Sequence, residues 1–257
     1  MSEIDSTAPA VVTDDQPAIS PTTTERKPTG SKMPRWEAEA RERVKAGIRR
    51  FSRPLGDLVS RDANEGDTRL IVTDFLEHAL GFDKYEELTT EYGVKGEFAD
   101  YGIRVDKELV AFVEVKRVAT KLAAKHLRQV EMYAVNEGVE WMILTNGVEW
   151  RAYHLSAGLP VQIDLALDVN LLGEGTATQK ANQLFYLSRE SLKKRQIDEL
   201  WKAKRATSPK SLAQILTSES VTEALRKELR RQTKQNVERS EIVRLLRETV
   251  IRSECLE

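Results

Sequence analysis

Three charged residues stand where two short apolar runs predict strands, and their types suit the binding of a metal ion. Asp100 interrupts the run Phe98–Val105, and Glu114 and Lys116 lie within the run Leu109–Val118. Successive side chains of a strand point to opposite faces, so Glu114 and Lys116 share one face. The short turn between the runs predicts an antiparallel hairpin, across which Asp100 can reach the same side.

Two carboxylates and one ammonium group at one end of a sheet suit a hard divalent cation. Mg²⁺ takes oxygen ligands and is commonly held by one or two carboxylates together with waters and substrate phosphates. A lysine beside such an ion can orient the attacking water and offset charge on phosphorus. The alternative is a salt-bridged strand on a half-exposed sheet, with Lys116 paired to Glu114 or Asp100. This short pattern alone leaves both interpretations open.

Residues on either side of the hairpin can reach the same cleft. Glu65 opens the helix that precedes the strands, although an acid in the first turn also favours the helix dipole. Gln129 and Tyr133 are four residues apart in a predicted helix and therefore lie on one face. Tyr133 can equally be a residue of the hydrophobic core.

The hydrophobic pattern predicts the order helix, three strands, helix, two strands, which is an α/β layer with a mixed sheet. The predicted strands cover residues 85–92, 98–105 and 109–118, followed by a pair that is joined at the Asn146-Gly147 turn. One helix is predicted to begin near Asn64, and a second is predicted over residues 119–136. Beyond Gly158, the chain is expected to pass through a polar link into short helices.

Composition divides the chain into four parts. They are a predicted disordered leader over residues 1–33, a charged helix over 34–52, an α/β domain over 53–170 and a helical region over 180–257. From Ser188 onward there are 17 Lys or Arg residues against 11 Asp or Glu, an excess of six positive charges. This region could approach phosphates, or it could be a solvated helical surface.

Several classes of protein lose support from the sequence. It contains no phosphate-binding Gly-x-x-x-x-Gly-Lys-Ser/Thr motif, no Gly-x-Ser-x-Gly and no His-Glu-x-x-His. The three histidines are scattered, so packing or surface roles are expected for them. Cys255 is the single cysteine, which favours a reducing, cytoplasmic location. No apolar run approaches the roughly 20 residues that span a bilayer, so no membrane association is expected.

Six short segments in order resemble one nuclease family. The segments are "NEGDTR", "LGFD", "FADYGI", "FVEVKR", "QVEMY" and "LTNGVEWRAY". This order resembles the PD-(D/E)xK nuclease superfamily, and more closely the N-terminal nuclease domain of the type I restriction enzyme R subunit. The resemblance covers about Asn64 to Leu155 and implies a restriction-endonuclease-like mixed sheet flanked by helices, with a small helical C-terminal region after it.

The resemblance also implies a metal site. Asp100 and Glu114 are then metal ligands, the carbonyl of Val115 is a further ligand, and Glu65 assists. The implied ion is Mg²⁺, with Mn²⁺ as a substitute. Ala99 replaces the proline that is usual before the first acid, as is common in this subfamily.

Three other residues receive roles from the resemblance. Lys116 acts in water activation and transition-state stabilisation, while Gln129 and Tyr133 orient the site or contact the DNA backbone.

The function implied is a metal-dependent DNA endonuclease that hydrolyses phosphodiester bonds, related to the R-subunit nuclease domain but without its ATPase motor. The expected partners are DNA, components of a restriction or defence system, and a second copy bound through the C-terminal helices. One alternative is a non-catalytic nucleic-acid-binding or assembly module that retains the nuclease fold. Another is a purely structural role in which the C-terminal helices form an oligomer.

Overall fold

A six-stranded sheet forms the centre of the computed structural model, which describes residues 33–94, 97–126, 134–156 and 161–256. The strands, adjacent in chain order, are β1 (Leu88–Val94), β2 (Glu97–Val105), β3 (Glu108–Val115), β4 (Trp141–Thr145), β5 (Glu149–Ser156) and β6 (Gln162–Asn170). β3 and β4 are parallel, and the other neighbouring pairs are antiparallel. This mixed sheet, flanked by helices, confirms the predicted α/β class.

Both predicted hairpins are present. The turn between β2 and β3 is made by Asp106 and Lys107, whose φ angles are 51° and 73°. Positive φ values at both central residues are what a type I′ turn requires, and this turn matches the twist of the flanking strands. The turn between β4 and β5 contains Gly147 at φ 84°. The side chain of Asn146 accepts hydrogen bonds from the backbone N–H groups of Val148 and Glu149.

Helices cover one face of the sheet and continue into the C-terminal region. The α-helices include α1 (Arg35–Ser60), α2 (Glu65–His78), α3 (Ala177–Leu184), α4 (Arg189–Lys193), α5 (Gln196–Ala206), α6 (Pro209–Leu216), α7 (Glu219–Thr233) and α8 (Arg239–Leu245). Single 3₁₀ turns occupy Ala124–His126, Phe185–Leu187 and Ser253–Cys255, and a π turn occupies Leu246–Val250. Within these described helices, none is both long and apolar enough to cross a membrane.

α1 is longer than the charged helix predicted over residues 34–52. It continues to Ser60 through Pro54, although a proline inside a helix removes one backbone hydrogen bond. Leu55 and Leu58 beyond the proline are buried in the main core. Burial of these two side chains therefore outweighs the local effect of Pro54.

The main core lies between the sheet and α1 and α2. Phe75 of α2 contacts both Phe51 of α1 and Trp150 of β5, with ring centroids 5.4 and 5.1 Å apart. A smaller cluster on the opposite face includes Phe112 and Met142. The sheet is thus buried on both faces near its middle, which explains why β4 reads as a continuous apolar run.

The C-terminal helices differ in how much they bury. Leu184, Leu192 and Ile197, from the segment covering α3 to α5, belong to the main core. By contrast, the buried residues of α6, α7 and α8 are Ala213, Thr222 and Ile242. The predicted helical C-terminal region is confirmed, but its first helices complete the core of the α/β domain.

One strand, β6, was not predicted, and the helix predicted over residues 119–136 is confirmed in part. Residues 134–136 are helical, residues 127–133 lie outside the described part of the chain, and residues 119–123 are not helical. Two carbonyls in that segment accept tertiary hydrogen bonds instead, Thr120 from Asn146 Nδ2 at 3.0 Å and Leu122 from Arg151 at 3.0 Å. Except for Met33, the predicted leader over residues 1–33 is outside the described part of the chain.

Two glycines of α1 allow a direct test of this packing. A Cβ added at Gly47 would clash with the side chain of Ala79 and lie 2.9 Å from its Cα, whereas a Cβ at Gly56 meets nothing within 4 Å. We expect Gly47→Ala to lower the free energy of unfolding by about 1–3 kcal/mol through overpacking. Gly56→Ala should raise it by about 0.5–1 kcal/mol through helix propensity. Urea titration measures both, and equal effects would contradict the observed packing of α1 on α2.

Candidate functional site

The site forms where β2 and β3 separate. Backbone pairing between these strands begins at Tyr101 and Val113. Beyond that pair, the backbone N–H of Val115 donates to Oδ2 of Asp100 at 2.7 Å. A buried carboxylate thus occupies a place that a backbone carbonyl would take in a continued ladder. The opening of the strand pair aims Asp100 at the carboxyl end of β3.

Glu114 and Lys116 meet at the same end of the sheet, as strand alternation predicts. Nζ of Lys116 lies 2.5 Å from Oε1 of Glu114. The Glu114 side chain is 5% exposed and the Lys116 side chain is 21% exposed. Oε2 of Glu114 is buried and has no hydrogen-bond partner among the described residues. The ion pair between Lys116 and Glu114 that the salt-bridge interpretation predicts is therefore present. It provides a partner for Oε1 of Glu114 but not for Oε2.

The first turn of α2 is fastened beside these groups by its own side chains. Asn64 caps the helix by accepting from the backbone N–H of Asp67. The hydroxyl of Thr68 accepts from the backbone N–H of Val118 at 3.1 Å, two residues after Lys116. Because Thr68 is fully buried, this tether fixes the start of α2 against the end of β3.

Arg69 brings a second cation into the site. Its Nη2 lies 2.5 Å from Oδ1 of Asp100 and 3.6 Å from Oε1 of Glu65. Its backbone carbonyl accepts from the Tyr101 hydroxyl at 3.1 Å, which links this turn of α2 to β2. Arg69 and Thr68 were not predicted as site residues, although both belong to the "NEGDTR" segment that carries part of the resemblance.

Burial dominates the electrostatics of both carboxylates. It raises the pKa of Asp100, while the Val115 N–H and the Arg69 charge oppose the shift. Burial also raises the pKa of Glu114; the Lys116 hydrogen bond opposes this, and the negative charge of Asp100 adds to it. Two buried acids with raised pKa values in one cleft are a common feature of functional sites.

The donor set fits a hard divalent cation. The unpartnered Oε2 of Glu114 is an oxygen that a cation could take without breaking a hydrogen bond. Since the N–H and C=O of one strand residue face the same neighbour, the carbonyl of Val115 faces the side on which Asp100 lies. Oδ1 of Asp100 and Oε1 of Glu114 are paired with Arg69 and Lys116, respectively, so these cations compete with any metal ion.

Another group of ligand-type residues lies elsewhere. Among the described residues, Asp74, Glu77 and His78 on α2 have ligand atoms within 4.8 Å of one another. Two of these three side chains are exposed, and Lys84 pairs with Glu77 at 3.2 Å. The group therefore has the features of a solvated helix surface.

The remaining predicted site residues divide into two cases. Glu65 lies in the first turn of α2 near Arg69, and its charge acts on both Asp100 and Glu114. Gln129 and Tyr133 lie outside the described residues, so their roles stay predictions. Of the histidines, His154 packs in the interior, stacked on Trp201 at a centroid distance of 3.6 Å.

Together these features define a mixed-sheet α/β protein with an acidic and basic cluster at the carboxyl end of its parallel strand pair. Residues 64–162 match the family model described as the type I restriction enzyme R protein N terminus. The match begins at the cap of α2 and includes every described residue of the cluster. Over this segment the chain is similar to that family, in agreement with the resemblance read from the motifs. No curated protein and no solved structure matches the chain.

The raised pKa of Glu114 predicts how stability depends on pH. A carboxyl group whose pKa is higher in the folded than in the unfolded state stabilises the fold at low pH, and that contribution is lost as pH rises through the folded pKa. Glu114→Gln keeps this position uncharged at every pH, so the variant does not lose that stability as the pH rises. At pH 7–8 we expect the variant to melt about 2–4 °C above the wild type, equivalent to about 1 kcal/mol for a domain of this size.

The difference should shrink as the pH falls towards about 4, near the ordinary pKa of Glu. Glu108→Gln is the matched control, since it removes the same charge from the exposed beginning of β3. Melting curves across pH measure both variants. A pH-independent difference for Glu114→Gln would show that burial of its charge is not what destabilises the fold.

Proposed function

We propose that this protein is a metal-dependent DNA endonuclease that hydrolyses phosphodiester bonds, with Mg²⁺ as its ion and Mn²⁺ as a substitute. One observation carries the proposal: two buried carboxylates, Asp100 and Glu114, lie beside Lys116 at one end of the sheet, and one Glu114 oxygen is unpartnered. The match to the R-protein N terminus supports the same assignment. We extend it to the PD-(D/E)xK superfamily on the order of the Asp100 and Glu114-x-Lys116 segments.

Each residue has a part in the proposed chemistry. Asp100, Glu114 and the Val115 carbonyl would hold the ion, and Glu65 would assist from the start of α2. When bound, such an ion supplies a nucleophilic water at neutral pH and draws charge from the phosphate oxygens. Lys116 orients the attacking water through its ammonium hydrogens and offsets the negative charge that develops on phosphorus.

DNA is the proposed substrate, and components of a restriction or defence system are proposed partners. The segment after Lys116 carries two exposed lysines, Lys121 and Lys125. Their charges favour a polyanionic backbone over a small neutral substrate. We propose Gln129 and Tyr133 as further contacts to the site or the backbone, and the absence of a phosphate-binding motif leaves ATP-driven translocation out of the proposal.

Cleavage of supercoiled plasmid tests the assignment. With Mg²⁺ or Mn²⁺ we expect the wild type to nick or cut DNA, and Asp100→Ala and Lys116→Ala to reduce the rate by at least about 10²-fold, as for the loss of one electrostatic group of an active site. Lys107→Ala is the matched control because Lys107 is an exposed lysine at the opposite end of the same hairpin. It should cleave at the wild-type rate.

Two outcomes would count against this function. Cleavage that is undiminished in both variants would place the activity elsewhere or in a contaminant. Metal-independent binding of duplex, single-stranded or branched DNA without cleavage would instead favour a non-catalytic module that retains the fold.

We also propose a homodimer formed through the C-terminal helices. α6 exposes Leu212 and Ile215, at 47% and 52%, and α7 and α8 expose Leu229 and Leu245. Leu212 and Ile215 are three residues apart and so lie on one side of α6, and neighbouring exposed apolar side chains favour burial against another surface. Light scattering should report a dimer for the wild type and a monomer for Ile215→Asp. Gln214→Asp, on the same exposed helix, should leave the dimer intact, and a monomeric wild type would contradict this proposal.

A further inference from the structure

Arg69 is held in the site by contacts that leave much of its binding capacity unused. A guanidinium group has five N–H donors. Nη2 contacts Asp100 at 2.5 Å and Glu65 at 3.6 Å, whereas Nε is buried and has no hydrogen-bond partner in the described part of the chain. An unpartnered buried donor is unfavourable unless another acceptor arrives. The Arg69 side chain is 37% exposed, so an acceptor can approach from solvent.

The backbone of Arg69 is fixed, so its side chain can exchange partners without moving the helix. Its carbonyl accepts from the Tyr101 hydroxyl, which also bonds the hydroxyl of Thr73 at 2.8 Å. Thr68, the preceding residue, is tied to Val118. α2 is thereby anchored to both β2 and the segment after β3. The backbone of this turn is thus held by hydrogen bonds, and the guanidinium group is the part that can exchange partners.

The charges of the cluster indicate what a new acceptor would be. Glu65, Asp100 and Glu114 carry three negative charges when ionised, and Arg69 and Lys116 carry two positive charges. The cluster therefore has one net negative charge, which attracts a divalent cation and repels a phosphate. With a divalent cation it has one net positive charge, which a single phosphodiester group neutralises.

A divalent cation and Arg69 compete for Asp100. Oδ2 of Asp100 accepts from the Val115 N–H, and Oδ1 contacts Arg69. Since a cation bound at Oδ1 and the guanidinium group carry charges of the same sign, the ion repels Arg69 from that oxygen. A released guanidinium offers paired donors in a plane, which matches the geometry of two phosphate oxygens.

We propose that Arg69 is the phosphate-binding cation of this site and that, before metal binds, it serves as the counter-ion of Asp100. This inference rests on the proposed function and adds the residue that couples metal binding to substrate binding. Arg69 leaves Asp100 when that carboxylate takes a divalent cation, and its freed N–H groups then donate to the scissile phosphodiester. In the absence of metal, Arg69 neutralises the charge of Asp100 and is therefore not available to bind a phosphate.

The two roles predict opposite effects of one substitution, measured on the full chain. Arg69→Ala removes a competitor for Asp100, so we expect its Kd for Mn²⁺, measured by calorimetry, to be about tenfold lower than that of the wild type. It also removes a phosphate ligand, so single-turnover cleavage should be about 10²–10³-fold slower. A purely structural role for Arg69 would weaken both binding and cleavage.

Two further variants complete the experiment. Arg69→Lys keeps the charge but not the paired donors, so it should bind Mn²⁺ within about threefold of the wild type yet cleave at least about tenfold more slowly. It decides the phosphate role even if Arg69→Ala does not fold. Arg61→Ala is the matched control. Arg61 pairs with Asp67, which lies on α2 as Arg69 does, and the Arg61 side chain is 60% exposed. Arg61→Ala should leave both measurements unchanged.

The outcomes separate this inference from the proposed function. Mn²⁺ affinity that is unchanged or weaker in Arg69→Ala overturns the counter-ion role, and wild-type cleavage by Arg69→Lys overturns the phosphate role. Failure of the wild type to cleave while it binds Mn²⁺ would reject the endonuclease, yet the Mn²⁺ affinities would still decide whether Arg69 competes for Asp100. A wild type that neither binds Mn²⁺ nor cleaves overturns both proposals.

Discussion

The hydrogen bond from the Val115 N–H to Asp100 is the interaction on which the site depends. It ends the β2–β3 ladder and replaces a backbone acceptor with a buried carboxylate. Without this bond the carboxylate would lose its contact to β3, and the Val115 N–H would be left without its acceptor, which is unfavourable in a buried segment. Glu114 then lies one residue before Val115 on the opposite face of the strand. The position of both acids follows from where the two strands part.

The start of α2 supplies the other half of the site, and each of its residues makes a different contact. Asn64 caps the helix, Thr68 ties it to the segment after β3, and Arg69 pairs with Asp100. Because Thr68 and Arg69 are adjacent, the tether that fixes the helix also fixes the origin of the cation. One turn of helix thus combines two structural contacts with two charged groups, Glu65 and Arg69, that face the carboxylates.

Local patterns determined most of what could be predicted from the sequence. Charged residues inside apolar runs located Asp100, Glu114 and Lys116, and turn residues located both hairpins. β6 was missed because its alternation, "QIDLALDVN", was not distinguished from the polar link that follows it. The start of the β3–β4 connection has helical composition, but tertiary hydrogen bonds to its carbonyls prevail. Arg69 was missed because its partner is a side chain 31 positions away along the chain, a separation that no local pattern encodes.

Our preference for a metal site over a structural salt bridge rests on burial rather than on pairing. Lys116 does pair with Glu114, and Arg69 with Asp100, as a structural salt bridge would require. However, a salt bridge that served stability would be better replaced by apolar residues once it is buried, since removal of two charges from water offsets their attraction. Here the acids are buried while both cations remain partly exposed, and one oxygen of Glu114 and one nitrogen of Arg69 lack partners among the described residues. Incomplete pairing of buried charges is destabilising in a folded domain, but it is the arrangement that a site needs if its cations are to exchange partners with a metal ion and a phosphate.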